Sequence, residues 1–398
     1  MRRVAVFLSL FAAFGAILLG ASDYTAPRAA RAASFAPATA GMCTPVRPYA
    51  SGTTVLTMST ADGMREYRLH VPASYTGADA VPLVFDLHGA TSTDSAQEFY
   101  SAFSTKADAN GFIVVYPQGL TTSFITYTHW NALLLPSPEP NDLAFITTLL
   151  DTLEAQLCID PARVYSTGMS NGAVMSVRLA CSLSSRIAAI APVAGTYYPP
   201  LTPNFLTETC PDATGVPLLA FHGTADTLVP FNGGLGGVTG TTNFRLPIDN
   251  DTPAEDVIAD WSTHNGCNSG RQESQVSSEV RLVQYTGCTL GAIVQLYVVD
   301  GGGHTWPGAI NNPSLGYTTH EISATDLMWS FFVAHPMAVA TPPSVGGVAE
   351  PPRLDAVPLA ATTANGSDRT PFLAGASLAA MAAALGASGW YLRRRVRR

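Results

Sequence analysis

Apolar and polar residues alternate along Thr54–Met58 and again along Arg65–Val71, with Asp62-Gly63 between them, and this predicts an antiparallel hairpin. Beyond residue 80 the period changes. Val81–Leu87 and Gly111–Pro117 are nearly continuous apolar runs, as strands buried on both faces show. Further runs at Val164–Thr167, Ile187–Val193, Val216–Phe221 and Ala292–Val299 read the same way. Between them lie stretches of helical character. Thr93–Asn110 is one, and Ala173–Ala180 another. A third opens at Asn141-Asp142 and runs to Leu157, with Leu143, Ile146, Leu149, Leu150 and Leu153 on one face. A fourth starts near Pro253 and ends at Trp261, and Ile322–Ala334 is the last. Strands alternating with helices predict an α/β fold: a mostly parallel central sheet, helices on both faces and an antiparallel hairpin at its N-terminal side. The stretches Tyr197–Gly215 and Phe231–Asn250 read as excursions over the C-terminal edge of that sheet, where ligands bind.

The two ends of the 398-residue chain follow other rules. Met1-Arg2-Arg3 precedes an apolar run from Val4 to Gly20, so residues 1–33 read as a secretory signal, cleaved at Ala21 or near Ala32-Ala33, with an uncleaved anchor as the alternative because the run is long. Residues 34–336 form the folded domain. Residues 337–370 are rich in Pro, Ala and Thr without periodicity and read as a linker. Pro371–Leu392 is uncharged and long enough to cross about 30 Å of hydrocarbon. Trp390 and Tyr391 sit where interfacial aromatics belong, and residues 393–398 hold five arginines. This layout predicts a membrane span with a cytoplasmic tail and the body outside. The end resembles that of Gram-positive surface proteins, without an L-P-x-T-G motif ahead of the span.

Basic residues cluster at those ends. Between Ser34 and Leu392 there are 12 basic residues against 28 acidic ones, which repels phosphate backbones and excludes nucleic acid as a partner. The six cysteines, Cys43, Cys158, Cys181, Cys210, Cys267 and Cys288, fit disulfides in an exported chain. No C-x-x-C spacing suggests zinc, so no metal is expected. Cys267 and Cys288 bracket one segment, and Cys181 and Cys210 flank a strand and loop, which leaves Cys43 with Cys158.

Four pieces of candidate chemistry stand at successive strand ends. Val81–Leu87 leads into His88-Gly89-Ala90-Thr91, where backbone N–H groups can turn toward a substrate carbonyl. Ala90 is the expected donor there, with Thr91 as the alternative. Val164–Thr167 leads into Gly168-Met169-Ser170-Asn171-Gly172, a G-x-S-x-G elbow. It aims a serine from a sharp strand-to-helix turn and offers the Asn171 N–H as second donor. Val216–Phe221 leads to Asp226, a carboxylate suited to orient an imidazole. Val294–Asp300 leads into Gly301-Gly302-Gly303-His304, where the glycines suggest a mobile, open loop carrying a general base. The chain order of oxyanion loop, serine, acid and histidine is that of an α/β-hydrolase.

His88-Gly89, the serine pentapeptide, His222–Asp226 with Val229-Pro230, Trp261 with Asn265-Gly266-Cys267, and Gly302–Gly308 together resemble the polyhydroxybutyrate depolymerase-like and feruloyl esterase family over roughly Thr53–Pro336. Two positions depart from the family pattern: Ala173, where a second glycine is usual, and the extended Thr121–Pro140 segment. The resemblance implies an α/β-hydrolase that cleaves extracellular carboxylic esters, some of them polymeric, through Ser170, Asp226 and His304. No metal or organic cofactor is needed. His88, Trp130 and Trp306 are the residues expected to contact substrate. Two rival readings share the scaffold: an exported serine peptidase and a non-catalytic surface-binding protein.

Overall fold

The computed structural model describes residues 35–36, 41–122, 125–132, 139–195, 210, 215–235, 249–250, 252–337 and 339–340. The signal, most of the linker, the Pro371–Leu392 span, the arginine tail and most of the two excursions lie outside the described residues. Among the described residues, no helix is long and apolar enough to cross a membrane.

Ten strands form one sheet. In chain order they are β1 (Gly52–Thr60), β2 (Gly63–Val71), β3 (Val81–Leu87), β4 (Ile113–Pro117), β5 (Ile159–Met169), β6 (Ala189–Val193), β7 (Leu218–Gly223), β8 (Gln272–Gln275), β9 (Val280–Tyr285) and β10 (Val294–Val299). Their spatial order is β8-β9-β10-β7-β6-β5-β3-β4-β2-β1. The six strands from β10 to β4 run parallel, and the two strands at each edge are antiparallel. Among the described residues, six α-helices, α1 (Asp94–Ser101), α2 (Phe103–Asn110), α3 (Asp142–Gln156), α4 (Asn171–Ser182), α5 (Ala254–His264) and α6 (Ala324–Ala334), accompany it.

Strand alternation divides the core into two layers. Leu83, Phe85 and Leu87 of β3, Val164 of β5 and Leu218 and Ala220 of β7 face α3, α4 and α5, meeting Phe145, Leu149, Met175 and Trp261. Val84, Tyr165, Leu219 and Phe221 point the other way, against Phe103, Ala107, Met328 and Phe332 of α2 and α6. Each such side chain, fully withdrawn from water, contributes about 1.5–3 kcal/mol before entropy is counted. The chain winds outward from β3 in both directions, to β4 on one side and β5 on the other. Loops leaving the C-terminal ends of β3 and β5 therefore part and leave a crevice, the place where open α/β sheets bind ligands.

Three features differ from the sequence expectation. The stretch Thr93–Asn110 is two helices, because Ala102 adopts a left-handed conformation (φ 55°) and breaks it without glycine or proline. β5 starts at Ile159, five residues earlier than the apolar run, with Asp160 accepting from the Ala162 N–H at 2.9 Å near a register shift against β3. β8 and β9 have no counterpart in the sequence expectation, and Gln272–Gln275 of β8 is polar and exposed along its length. Such residues suit a sheet edge that must not recruit another strand.

A buried ion pair locks the hairpin to α3. Arg65 of β2 and Asp142, the first residue of α3, meet at 2.7 Å with neither side chain exposed, and the guanidinium lies 3.9 Å from the Phe145 ring. Three disulfides, Cys43–Cys158, Cys181–Cys210 and Cys267–Cys288, join the same cysteines that the spacing paired. The first closes the longest loop, at a sequence separation of 115. The double variant Cys43→Ser/Cys158→Ser is expected to lose about 3–5 kcal/mol of stability, from the entropy restored to the unfolded chain. Urea unfolding compared with the wild type measures it, and an unchanged midpoint would contradict this account.

Candidate active site

Ser170 stands between β5 and α4 with φ 57° and ψ −121°, a backbone conformation rare for a residue with a side chain. Sterics at its flanks explain why glycine is needed there. A Cβ on Gly168 would sit 2.6 Å from the Leu87 carbonyl oxygen, and one on Gly172 would collide with both the Leu87 and His88 carbonyl oxygens. The Ser170 N–H donates to Val193 O at 2.9 Å, which ties the turn to β6. As the first residue of α4, Asn171 has a backbone N–H with no partner inside the helix.

On the neighbouring loop, the two candidate donors separate. The Thr91 N–H donates to Thr128 O at 2.8 Å and is occupied, which removes the alternative assignment. Ala90 remains, and it lines the same cleft as Ser170. His88 fixes its peptide. Gly119 N–H donates to His88 Nε2 at 2.9 Å, so the proton resides on Nδ1, which donates to Gly89 O at 2.7 Å. With the Gly89 carbonyl held on one side, the Ala90 N–H is directed to the other.

Asp226 lies on the loop after β7 and gathers three donors, with a second histidine close by. Its Oδ1 accepts from the N–H groups of Leu228 (2.8 Å) and Val229 (2.9 Å), and its Oδ2 accepts from His304 Nδ1 (2.8 Å). His222 Nε2 lies 3.4 Å from the same oxygen and donates to Val229 O at 2.8 Å. Burial alone would raise this carboxyl, but the hydrogen bonds and charges of His222 and His304 outweigh it and hold the group well below the usual carboxylate range. Asp226 therefore stays ionised at every ordinary pH. The loop that carries His304 is not the open one its glycines suggested. Gly303 N–H donates to Tyr317 O (2.9 Å) and His304 N–H to Leu315 O (2.7 Å), and a Cβ on Gly303 would strike the Leu315 carbonyl. Close packing, not mobility, calls for glycine here.

Ser170 and His304 line one cleft of about 650 Å³, together with Met169, Leu228 and Val229. Phe99 and Ile310, also on its lining, are 71% and 57% exposed. The three residues expected to touch substrate do not reach it. His88 is fully buried and serves the loop described above. Trp130 is 2% exposed, with Nε1–H donating to His88 O at 2.8 Å. Trp306 is 1% exposed, edge-on to Phe103, with Nε1–H donating to Thr325 Oγ1 at 3.0 Å. Each indole has a core acceptor for its N–H, which is why burial wins over the cleft. Conversely, Gln97 and Tyr100 line the cleft and His222 lies beside Asp226, none of them expected there, His222 having entered only as part of the family resemblance. Only His222, four residues ahead of Asp226 at a strand end, carried a readable signal.

The strained turn, the two converging loops and the crevice define an α/β-hydrolase. The family described as esterase PHB depolymerase matches residues 65–200. "Putative esterase NocK" of Nocardia uniformis subsp. tsuyamanensis is 30% identical over 334 residues, covering 78% of this chain and 89% of that protein. Feruloyl esterase C of Emericella nidulans is 28% identical over 283 residues, 68% of this chain and 84% of that one. Feruloyl esterase B of Piromyces equi is 28% identical over 240 residues, 60% of this chain. The match spans only 42% of that relative's length. The chain belongs to the polyhydroxybutyrate depolymerase-like and feruloyl esterase family, and it is a carboxylic-ester hydrolase.

Burial pushes the His88 imidazole down to about 4, aided by the nearby charges of Arg65 and His129 and opposed by the bond to Gly89 O. The folded state thus prefers the neutral ring, which an unfolded chain protonates near pH 6.5. The resulting stabilisation is complete above about pH 6.5 and is lost as pH falls toward 4. His88→Gln, which cannot titrate, should be less stable than wild type at pH 7.5, with the gap narrowing by about 2–3 kcal/mol by pH 4. Denaturant unfolding across that range is the check, and a gap independent of pH would refute it.

Proposed function

We propose that Ser170, His304 and Asp226 act as a catalytic triad that hydrolyses esters through an acyl-enzyme. The observation that carries this reading is the 2.8 Å contact of His304 Nδ1 with an Asp226 that two backbone N–H groups also hold, on a histidine sharing its cleft with a strained serine. Asp226 can only accept, so His304 carries its proton on Nδ1 and keeps Nε2 basic. Nε2 takes the Ser170 proton as Oγ attacks the ester carbonyl carbon. The N–H groups of Ala90 and Asn171 hold the oxyanion. The carbon–oxygen ester bond then breaks, and the alcohol leaves with the proton from Nε2. Water repeats the cycle on the acyl-enzyme, releasing the acid and restoring the serine, while Asp226 stabilises the imidazolium throughout.

The substrate class we infer is hydroxyalkanoate esters of the polyhydroxybutyrate type, or feruloyl or acetyl esters of polysaccharides. Relatives named as feruloyl esterases support it, and so does the apolar pair Phe99 and Ile310 on the cleft lining. We place the enzyme outside the cell. Three disulfides and the Val4–Gly20 run after two arginines support export, and the apolar stretch Pro371–Leu392 with five following arginines supports a membrane tether.

Ser170→Ala should lower kcat on a short p-nitrophenyl ester by at least about 10⁴-fold with an unchanged melting temperature. Turnover retained in the pure variant would overturn the assignment. Methyl ferulate, acetylated xylan and 3-hydroxybutyrate oligomers, assayed side by side on the wild type, distinguish the ester classes.

A further inference from the structure

Residues Thr128–Asn131 make contacts that neither the family resemblance nor the triad calls for. The Trp130 N–H donates to Asn171 Oδ1 at 2.6 Å, and Asn171 Nδ2 donates back to Trp130 O at 3.1 Å. The same tryptophan sends Nε1–H to His88 O at 2.8 Å, with its ring centroid 5.0 Å from that of His88. Two residues earlier, Thr128 O accepts from the Thr91 N–H at 2.8 Å, and Thr128 Oγ1 donates to Ser92 O at 2.6 Å. This short segment therefore grips the oxyanion loop on both sides of Ala90 and the helix residue whose N–H is the other donor.

The segment is itself anchored. The Asn131 N–H donates to Asp142 Oδ2 at 2.7 Å, and Asp142 is the buried partner of Arg65, whose Nη2 also reaches Gln118 O at 3.0 Å. His129 N–H pairs with Leu120 O at 3.0 Å. A strap held at its far end by a buried ion pair thus spans two loops that belong to different strands, β3 and β5.

The geometry points to Trp130 as a positioning residue that sets the spacing of the two oxyanion donors, acting through Asn171 on one side and His88 on the other. The assignment rests on the proposed Ser170 chemistry. Two N–H groups stabilise a developing oxyanion only if both lie within hydrogen-bonding distance of it at once, and a misplacement of 1 Å can cost about 10²-fold in rate. No substrate contact is required of the indole.

Two variants test this while leaving every backbone N–H in place. Asn171→Ala removes the side-chain clamp, and Trp130→Phe keeps a buried ring but loses the Nε1–H. Each should lower kcat on a p-nitrophenyl ester by about 10- to 100-fold with KM within about threefold of wild type. Affinity for a trifluoromethyl ketone, which adds to serine as a charged hemiketal, should weaken by the same factor as kcat/KM. The double variant should lose less than the product of the singles, because both cut one linkage. Melting temperatures identify any loss from unfolding. Folded variants with wild-type kcat and ketone affinity would overturn the assignment, as would a kcat loss with ketone affinity unchanged. A wild-type protein that neither turns over ester nor binds the ketone overturns the reading of Ser170 itself, and this assignment with it.

Discussion

The close approach of the β3 end to the turn between β5 and α4 governs the site. Leu87 O and His88 O press against Gly168 and Gly172 so tightly that no side chain fits at either position. That contact forces the chain at Ser170 into a positive φ and aims its side chain away from the sheet. It also brings the loop after β3 beside the first residue of α4, so the two peptides proposed as oxyanion donors become neighbours although they lie about 80 residues apart in sequence. The parallel register that produces this, Leu87 opposite Gly168, depends in turn on apolar layers that cover both faces of β3 and β5. A register slip by one residue would exchange those layers and abolish the contact.

Strain at one residue persists only if its surroundings over-determine it. Here much of the surrounding structure is polar and buried, which is costly unless every group is paired. His88 meets that demand by staying neutral: one nitrogen donates, the other accepts, and neither requires charge. Asp226 meets it in the opposite way. It stays charged and collects donors until the charge is cheaper to keep than to neutralise. The two solutions suit their places. In the proposed mechanism, a loop that presents an N–H to a developing negative charge gains from having no other net charge at its base, and a residue that faces an imidazolium gains from a fixed negative one.

Much of this was legible along the chain, and the reasons differ by element. Runs such as Val81–Leu87 and Val216–Phe221 announce buried parallel strands because burial on both faces removes polar alternatives. Ser170, Asp226 and His304 stand at the ends of such runs, so their chemistry and their positions could be read together. β8 escaped because an exposed edge strand selects for polarity, the opposite signal. The break at Ala102 escaped because a left-handed alanine, costing about 1–2 kcal/mol, leaves no mark in composition. Trp130 was legible as an aromatic in a loop but not in its use. Its two bonds to Asn171 involve its own backbone, and backbone partners have no sequence signature.

The histidine loop shows how the same residues support two physical readings. Gly301-Gly302-Gly303 ahead of a catalytic candidate suggests freedom of movement. In the fold, Gly302 and Gly303 are where three chain segments meet, the end of β7 at Gly223, the loop itself and residues 315–317, while Gly301 takes a left-handed conformation (φ 74°). The absence of side chains lets backbone approach backbone, and the hydrogen bonds to Tyr317 O and Leu315 O then remove the freedom that glycine would allow. In the proposed mechanism the general base returns to the same place in each of two half-reactions, first toward an alcohol and then toward water. A rigid mount serves that need better than a mobile one, because each half-reaction requires the imidazole within hydrogen-bond reach of the moving proton. The rigidity at His304 and the grip on the loop after β3 are thus, on that proposal, the same solution applied to the two sides of one cleft.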